Sequence, residues 1–364
     1  MKKRFIVLSA AAVLAAAALI ILPPSSGKMK HPENYAVCEK TFIDADGGKL
    51  GMVIKGKQQD APVLLLLGGG PAIPEYLLET EYPSGLDDTF TVCMPSYRGT
   101  ALSYEGNTDE SRINSEQYIA DAVTITDYLR ERFGQEKIYL MSHSFGTNVA
   151  LPLAAEHPEK YEAYIAMGLV SDQPRSEQEA YRYMLGAAEG SLKEELEEYA
   201  ELFSGEPKAL SSSDPLAKRY LSKTRDKAMH SLGVGTTRDM DSVITGIFFP
   251  SLRMTEFTPA ERINIWRGKV FVEGCKTDRF DLKAADVVQR LELPFYIFAG
   301  KYDRTTDYDL QREYYDFVSA DTKGFYTFAD SAHSPVFEQP DLAQKILTED
   351  VLNKRTDLAD KEEQ

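Results

Sequence analysis

The sequence predicts an α/β domain with a mostly parallel central sheet, interrupted by an inserted, mostly helical segment and preceded by an N-terminal export segment. Three observations predict it. Apolar strand-like runs alternate with helix-period stretches up to about Asp172, and the same rhythm returns between residues 291 and 350. Between them, residues 173–290 are richer in charge and lose the alternation. The chain also opens on Lys2-Lys3-Arg4 followed by an apolar run from Phe5 to Leu22, broken only by Ser9. With 364 residues, 43% of them hydrophobic and 10% aromatic, the chain has the material for one large catalytic domain with an insertion.

In chain order, the apolar run comes first. Its basic flank keeps the N-terminus inside while the rest crosses, so the protein is expected to be extracytoplasmic. The run is long for a signal peptide core and just long enough to span a bilayer. Neither an A-x-A cleavage site nor a lipobox cysteine follows it. Those features favour a membrane anchor over a cleaved signal peptide, with residues 1–30 set outside the fold. Thr41–Ala45 and Leu50–Lys55 then flank Asp46-Gly47-Gly48, the pattern of a hairpin with a glycine turn. This stretch starts like a calcium loop but lacks the later ligands and the closing Glu. Pro62–Leu67 is a continuous apolar run, as expected of a central strand covered on both faces. Phe90–Met94 is the next strand. Ser115–Phe133 carries Ile119, Val123, Ile125, Leu129 and Phe133 at near-helical spacing, with Gly134 as a stop. Lys137–Met141 and Tyr161–Val170 read as strands around a helix at Thr147–Glu156. Residues 31–172 therefore form the first part of the core. After the insertion, Pro294–Ala299, Asp307–Val318, Gly324–Phe328 and Pro340–Leu347 continue as strand, helix, strand, helix, giving a second core part at 291–350. The charged tail, 351–364, is expected to fray.

Charge and composition exclude several classes. A net charge of −16 argues against nucleic acid, which needs a basic surface, and against an anionic lipid surface as ligand. Contact with a membrane is expected through the N-terminal segment only. Cys38, Cys93 and Cys275 are widely spaced, with no CxxC and no zinc spacing, so neither a metal site nor a disulfide framework is expected.

The chemistry concentrates where the strand Lys137–Met141 breaks. Ser142-His143-Ser144-Phe145-Gly146 stands between a strand and a helix, the setting of the nucleophile elbow of α/β-hydrolases. The pattern is G-x-S-x-G with Ser in the first Gly position. The residues two before and two after the nucleophile approach closely, so both must be small. Ser144 is the candidate nucleophile; the bland alternative is a polar turn with Ser as helix cap. A serine needs a base, and there are five histidines. His31 lies beside the export segment, His143 is expected to point away from the turn, His157 reads as a helix end, and His230 lies in the insertion. His333 lies in the loop after the last strand, where this fold supplies its base. Asp303, in the loop after the preceding strand, is the candidate acid, giving the order Ser, Asp, His. Asp307 and Asp309 fit a helix start better, and Asp172 at the end of the Tyr161–Val170 strand is the other conceivable acid. For the oxyanion, Gly68-Gly69-Gly70-Pro71 follows the strand Pro62–Leu67. One donor is expected from Gly69 or Gly70, and the other from Phe145. GxGxxG and GxxxxGK[ST] are both absent.

These residues resemble the proline iminopeptidase-like branch of the α/β-hydrolases over most of residues 40–350. Gly68-Gly69-Gly70-Pro71-Ala72 is similar to the family's HGGPG loop, and Tyr97-Arg98-Gly99-Thr100-Ala101-Leu102-Ser103 to its DQRGxGxS stretch. Ser142–Gly146 lines up with GHSxG, Gly300–Asp303 with GxxD, and Ser331–Pro335 with SGHSP. The resemblance implies a helical cap, no metal, no organic cofactor, and acyl transfer through a serine ester. It departs at Gly68 for the loop His, Ala72 for the last loop Gly, and Ser96-Tyr97 before Arg98. Family peptidases hold the substrate's free amine with cap carboxylates. None can be matched here residue by residue: the run Glu194, Glu195, Glu197, Glu198 and Glu201 reads more as a solvated helix face, and Glu177, Glu179 and Glu273 stand equally open for that role. The expected function is therefore a serine hydrolase cleaving a residue from short peptides. A carboxylesterase on small lipophilic esters, or a catalytically decayed fold used as a binding module, are the alternatives.

Overall fold

The computed structural model describes residues 23–211, 213–275 and 283–361. Ten strands are present among them: β1 (Val37–Ala45), β2 (Gly48–Gly56), β3 (Val63–Leu67), β4 (Thr91–Pro95), β5 (Ile138–His143), β6 (Tyr161–Met167), β7 (Arg290–Leu291), β8 (Phe295–Gly300), β9 (Ser319–Ala320) and β10 (Lys323–Phe328). Eight make one sheet in the order β1-β2-β4-β3-β5-β6-β8-β10. It is parallel from β4 to β10, and β1 and β2 are antiparallel at one edge. β7 and β9 pair separately.

The period-2 geometry of a strand explains the apolar runs. In β3, Leu65 and Leu67 enter one core while Leu64 and Leu66 enter the other. β5 divides likewise, with Leu140 on one face and Tyr139 and Met141 on the opposite one. Each of the four β3 leucines is fully buried and contributes about 1.5–3 kcal/mol before entropy is subtracted. The helix Ser115–Phe133 covers the first face with Tyr118, Ala122, Ile125 and Leu129. Asn114 caps it by accepting from the Gln117 N–H, and Gly134 ends it at φ +64°. Gly146–Glu156 packs on the same face, and Pro340–Ile346 on the other.

Between β6 and β7 the described residues are helical, from Gln173–Ala187 to Pro259–Gly274 and Ala284–Val287. Tyr181, Met184, Leu196, Tyr199 and Tyr220 give the early part its own core. At the neck, Ala284 donates to the Ser171 carbonyl at 2.9 Å. The helix Pro259–Gly274 packs on the body instead: a Cβ at Gly268 would lie 2.7 Å from Thr100 Cα.

Two expectations need correction. Residues 23–30 belong to the body. Arg262 donates to the Pro23 carbonyl at 3.2 Å, Ser25 donates to Thr255 at 2.9 Å, and Met29 packs against the core. The charged tail is also not frayed up to residue 360. Asp350 is fully buried and accepts from the N–H groups of Asp357 and Leu358, while Asp360 accepts from Thr327 and pairs with Arg312. Charge density suggested solvation, but these charges have partners within the fold. The apolar run Phe5–Leu22 lies outside the described residues, among which no helix is long and apolar enough to cross a membrane.

Candidate active site

β5 delivers its last side chains to the C-terminal edge of the sheet, where the chain reverses into the helix Gly146–Glu156. Ser144 sits in the turn with φ +53°, a left-handed conformation that is costly for a residue with a Cβ. Its N–H donates to the Met167 carbonyl at 3.0 Å. Gly146 has no alternative, since a Cβ there would lie 2.1 Å from the Leu67 carbonyl oxygen. At the other small position, the Ser142 hydroxyl is buried but shares a hydrogen bond with the Tyr164 hydroxyl at 2.8 Å. That partner explains why serine is tolerated in place of the usual glycine.

Asp303 follows β8 and is fully buried. Its Oδ1 accepts from the N–H groups of Thr305 and Thr306, and its Oδ2 from Thr306 Oγ1 at 2.8 Å and Gln311 Nε2 at 3.1 Å. Oδ2 also lies 2.9 Å from His333 Nδ1. Burial works to raise this carboxyl, but the charge and hydrogen bond of His333, with help from Thr306, outweigh it and bring it to about 2. The acid is therefore ionised at neutral pH and holds the Nδ1 proton. His333 Nε2 is buried without a hydrogen-bond partner among the described residues. The histidine loop crosses so closely that a Cβ at Gly300 would fall 1.7 Å from the Ala332 carbonyl oxygen. A Cβ at Gly168 would lie 2.9 Å from the His333 ring. Gly168 follows Met167, the residue that accepts from Ser144, so β6 brings the serine and histidine loops to one place.

The other candidate acids are occupied elsewhere. Asp172 caps the helix Gln173–Ala187, Asp307 caps Tyr308–Phe317 and pairs with Arg304, and Asp309 is exposed. His230 bonds the Met240 carbonyl inside the insertion, and His157 pairs with Glu159 at the surface.

The glycine loop after β3 departs from expectation at Gly69. A Cβ there would lie 3.1 Å from Ser144 Cβ, so the backbone does pass beside the serine. Its N–H, however, donates to Glu75 Oε2 at 3.1 Å. A carboxylate therefore takes this donor, leaving Gly70 (φ +110°) as the glycine whose N–H is uncommitted among the described residues. Phe145, the second expected donor, stands directly after Ser144 at the head of the helix. Glu75 also explains Gly68: a Cβ there would lie 2.8 Å from both Cβ and Oε2 of Glu75, so nothing larger fits where the resembled family carries histidine.

Glu75 escaped the sequence reading, and His143 was misplaced by it. Rather than pointing away, His143 is buried with its Nδ1 2.8 Å from Glu75 Oε1 and its Nε2 3.0 Å from the His333 carbonyl oxygen. Its ring centroid lies 4.9 Å from that of His333. The available signal was the missing loop histidine at Gly68, which left room for a second carboxylate.

A strap of the insertion, Val234–Arg238, binds the histidine loop. His333 N–H donates to the Gly235 carbonyl at 3.2 Å and Ser334 Oγ to Thr236 at 2.7 Å. Glu338 ties the same parts together, accepting from the N–H groups of Ala332, Ser334 and Arg238. The insertion's candidate amine-binding carboxylates are spent on cations. Glu177 meets Arg225 at 2.8 Å, Glu179 meets Arg182, and Glu273 meets Lys269. In the acidic run, Glu195 pairs with Lys227 and Glu198 with Arg219.

Comparison with known proteins agrees with this architecture. The model of the alpha/beta hydrolase fold matches residues 62–340. The probable aminopeptidase YbaC of Bacillus subtilis (strain 168) is 26% identical over 319 residues, covering 87% of this chain and 97% of that relative. The proline iminopeptidase of Mycobacterium smegmatis superposes with a TM-score of 0.64 at 12% identity, over 86% of this chain and 98% of its own. A proline iminopeptidase-related protein from Thermus thermophilus gives 0.57 at 18% identity, over 87% and 98%. A thermophilic esterase from Thermogutta terrifontis gives 0.52 at 14% identity, over 88% and 100%. At these identities the structural likenesses speak for the fold alone.

Proposed function

This chain belongs to the alpha/beta hydrolase family and is a hydrolase, and on that premise we propose that it is of the proline iminopeptidase-like kind, a Ser-His-Asp aminopeptidase acting on short peptides. The observation that carries the reading is the His333 ring, bonded to Asp303 at 2.9 Å through Nδ1 and unpaired at Nε2 among the described residues, in a loop packed on Gly168, next to the Met167 carbonyl that accepts from Ser144. Ser144 Oγ attacks the scissile carbonyl carbon while His333 Nε2 takes its proton. Nε2 then gives that proton to the departing amine, and the acyl group stays on Ser144. In the second half a water loses its proton to Nε2, attacks the ester, and frees the acid and the serine. The N–H groups of Gly70 and Phe145 hold the oxyanion in both halves; such a donor is worth about 2.7–4 kcal/mol. Asp303 keeps the imidazole in the one tautomer that leaves Nε2 free to accept. The reaction needs neither metal nor organic cofactor. The basic flank and apolar run at residues 2–22 support an extracytoplasmic location, with the membrane reached through that segment only.

A second reading, a carboxylesterase on small lipophilic esters, is favoured by one observation: Glu177, Glu179 and Glu273 are each neutralised by a cation. A peptidase of this kind needs a carboxylate for the substrate's ammonium; an ester needs none. Rates on a prolyl or alanyl anilide, on the same anilide N-acetylated, and on p-nitrophenyl butyrate separate the readings. We expect the free-amine anilide to be preferred by at least about tenfold, the discrimination of one modest charge contact of about 1.4 kcal/mol. Ester turnover without anilide cleavage would leave the esterase. No turnover of any of them, with no active-site labelling, would leave a fold retained for binding.

A further inference from the structure

Beneath the nucleophile lies a second histidine–carboxylate pair that the proposed reaction does not use. We infer that Glu75 and His143 are positioning residues, forming a buried clamp that locks the oxyanion loop to the loop carrying the catalytic histidine. The inference rests on the serine hydrolase reading of the site and deepens it.

The geometry is closed at both ends. Glu75 is 3% exposed and His143 likewise 3%, so neither is solvated. Glu75 Oε2 takes the Gly69 N–H at 3.1 Å, and its Oε1 meets His143 Nδ1 at 2.8 Å. His143 Nε2 meets the His333 carbonyl oxygen at 3.0 Å. One unbroken chain therefore runs from the glycine loop, under Ser144, to the backbone of His333. The carbonyl only accepts, so Nε2 must carry a proton. A second proton must lie between Nδ1 and the carboxylate, because two bare lone pairs at 2.8 Å would repel. The pair thus functions with two protons, as an imidazolium facing a carboxylate. In a dry site that contact is strong, and an unpaired member would be costly. The charged and titratable groups facing the pair are few: Asp303 and His333 on the histidine side, and the Tyr97 hydroxyl near Glu75. Burial opposes charging His143, but Glu75 prevails and lifts it above the usual imidazole range. The same partner brings Glu75 below the usual carboxylate range against its own burial.

Two consequences separate positioning from mere packing. Holding the Gly69 N–H fixes the plane of the Gly68–Gly69 peptide and so anchors the backbone from which the Gly70 N–H, the proposed oxyanion donor, projects. Holding the His333 carbonyl fixes the height of its ring. Both matter when charge develops at the substrate, so damage should fall on kcat rather than KM. Raising the pH until the pair keeps a single proton opens one of its links, so the wild-type enzyme should show an alkaline loss of kcat. Glu75→Gln removes that titration. Its amide donates to Nδ1 and its carbonyl accepts from Gly69, with His143 neutral and still donating to His333.

The experiment uses the full chain and a fluorophosphonate probe, followed by steady-state kinetics on the best substrate. Probe labelling of wild-type Ser144 must be seen first; its absence would remove the underlying reading and not this one. We then expect Glu75→Ala to lower kcat and the labelling rate by about 100-fold with KM changed less than about threefold, the scale of an ångström-level misplacement. Glu75→Gln should stay within about fivefold of wild type at neutral pH and lack the alkaline limb. Should the alanine variant not fold, the glutamine variant alone decides. A Gln variant that folds but is as impaired as a full loss of the clamp, or one that keeps the wild-type alkaline limb, would overturn the inference. So would a folded Ala variant labelled at the wild-type rate.

Discussion

Ser144→Ala is expected to abolish fluorophosphonate labelling and to lower turnover by about 10⁶-fold, the scale on which loss of a triad nucleophile acts. The fold should be untouched. The substitution removes one oxygen atom, keeps the Cβ, and leaves the Ser144 N–H on the Met167 carbonyl. The neighbours that shape the turn, Ser142 and Gly146, are unchanged, and so is the strain of φ +53°. A melting temperature within a few degrees of wild type, combined with lost labelling, is the expected pair of results. Persistent labelling at the wild-type rate would place the nucleophile elsewhere.

Asp303→Asn should be nearly as damaging, lowering kcat by about 10⁴-fold, for a reason specific to its hydrogen bonds. The asparagine oxygen can keep the Thr305 and Thr306 N–H groups that now bind Oδ1. Its amide nitrogen then faces His333 Nδ1 and donates to it. The ring proton moves to Nε2, and the nitrogen that should accept the Ser144 proton arrives already protonated. KM should change little, since Asp303 is fully buried behind His333. Single-turnover labelling across pH checks this: the variant should be slow throughout, with partial recovery at alkaline pH. A variant labelled as fast as wild type would remove Asp303 from the mechanism.

What could be read from the sequence follows from the range of the interactions involved. The helix Ser115–Phe133 was legible to the residue because its signals are local: Asn114 caps it, Gly134 stops it, and one face is apolar. Ser144, Asp303 and His333 could be proposed together from the sequence because each stands just past a strand end, where a parallel sheet delivers its side chains. Gly69 and His143 were not legible, because both depend on Glu75, which reaches them through a turn no periodicity announces. Its carboxylate fills the space a Cβ on Gly68 would need. The docking of residues 23–30 and of the tail was hidden for the same reason. Arg262 on Pro23 and Asp360 on Thr327 are contacts across long stretches of chain, between segments whose composition alone suggests solvent.

The Glu338 carboxylate, set between the histidine loop and the Val234–Arg238 strap, has a consequence for acid tolerance. Burial is the main cause that pushes its carboxyl up to about 7, against three backbone donors that pull it down. Its folded value lies above the ordinary 4.5, so the native state binds a proton that the unfolded chain releases. Stability from this group is therefore full below about pH 4.5 and is lost as pH rises through 7. Asp303 runs the other way: its folded value of about 2 lies below the ordinary 3.8, so its contribution holds above about pH 4 and fades as pH falls toward 2. Between them the two carboxyls open a mildly acidic window, roughly pH 4 to 6, in which both favour the native state. The groups that position His333 thus also set where, on their account, the native state is most favoured: at mildly acidic pH.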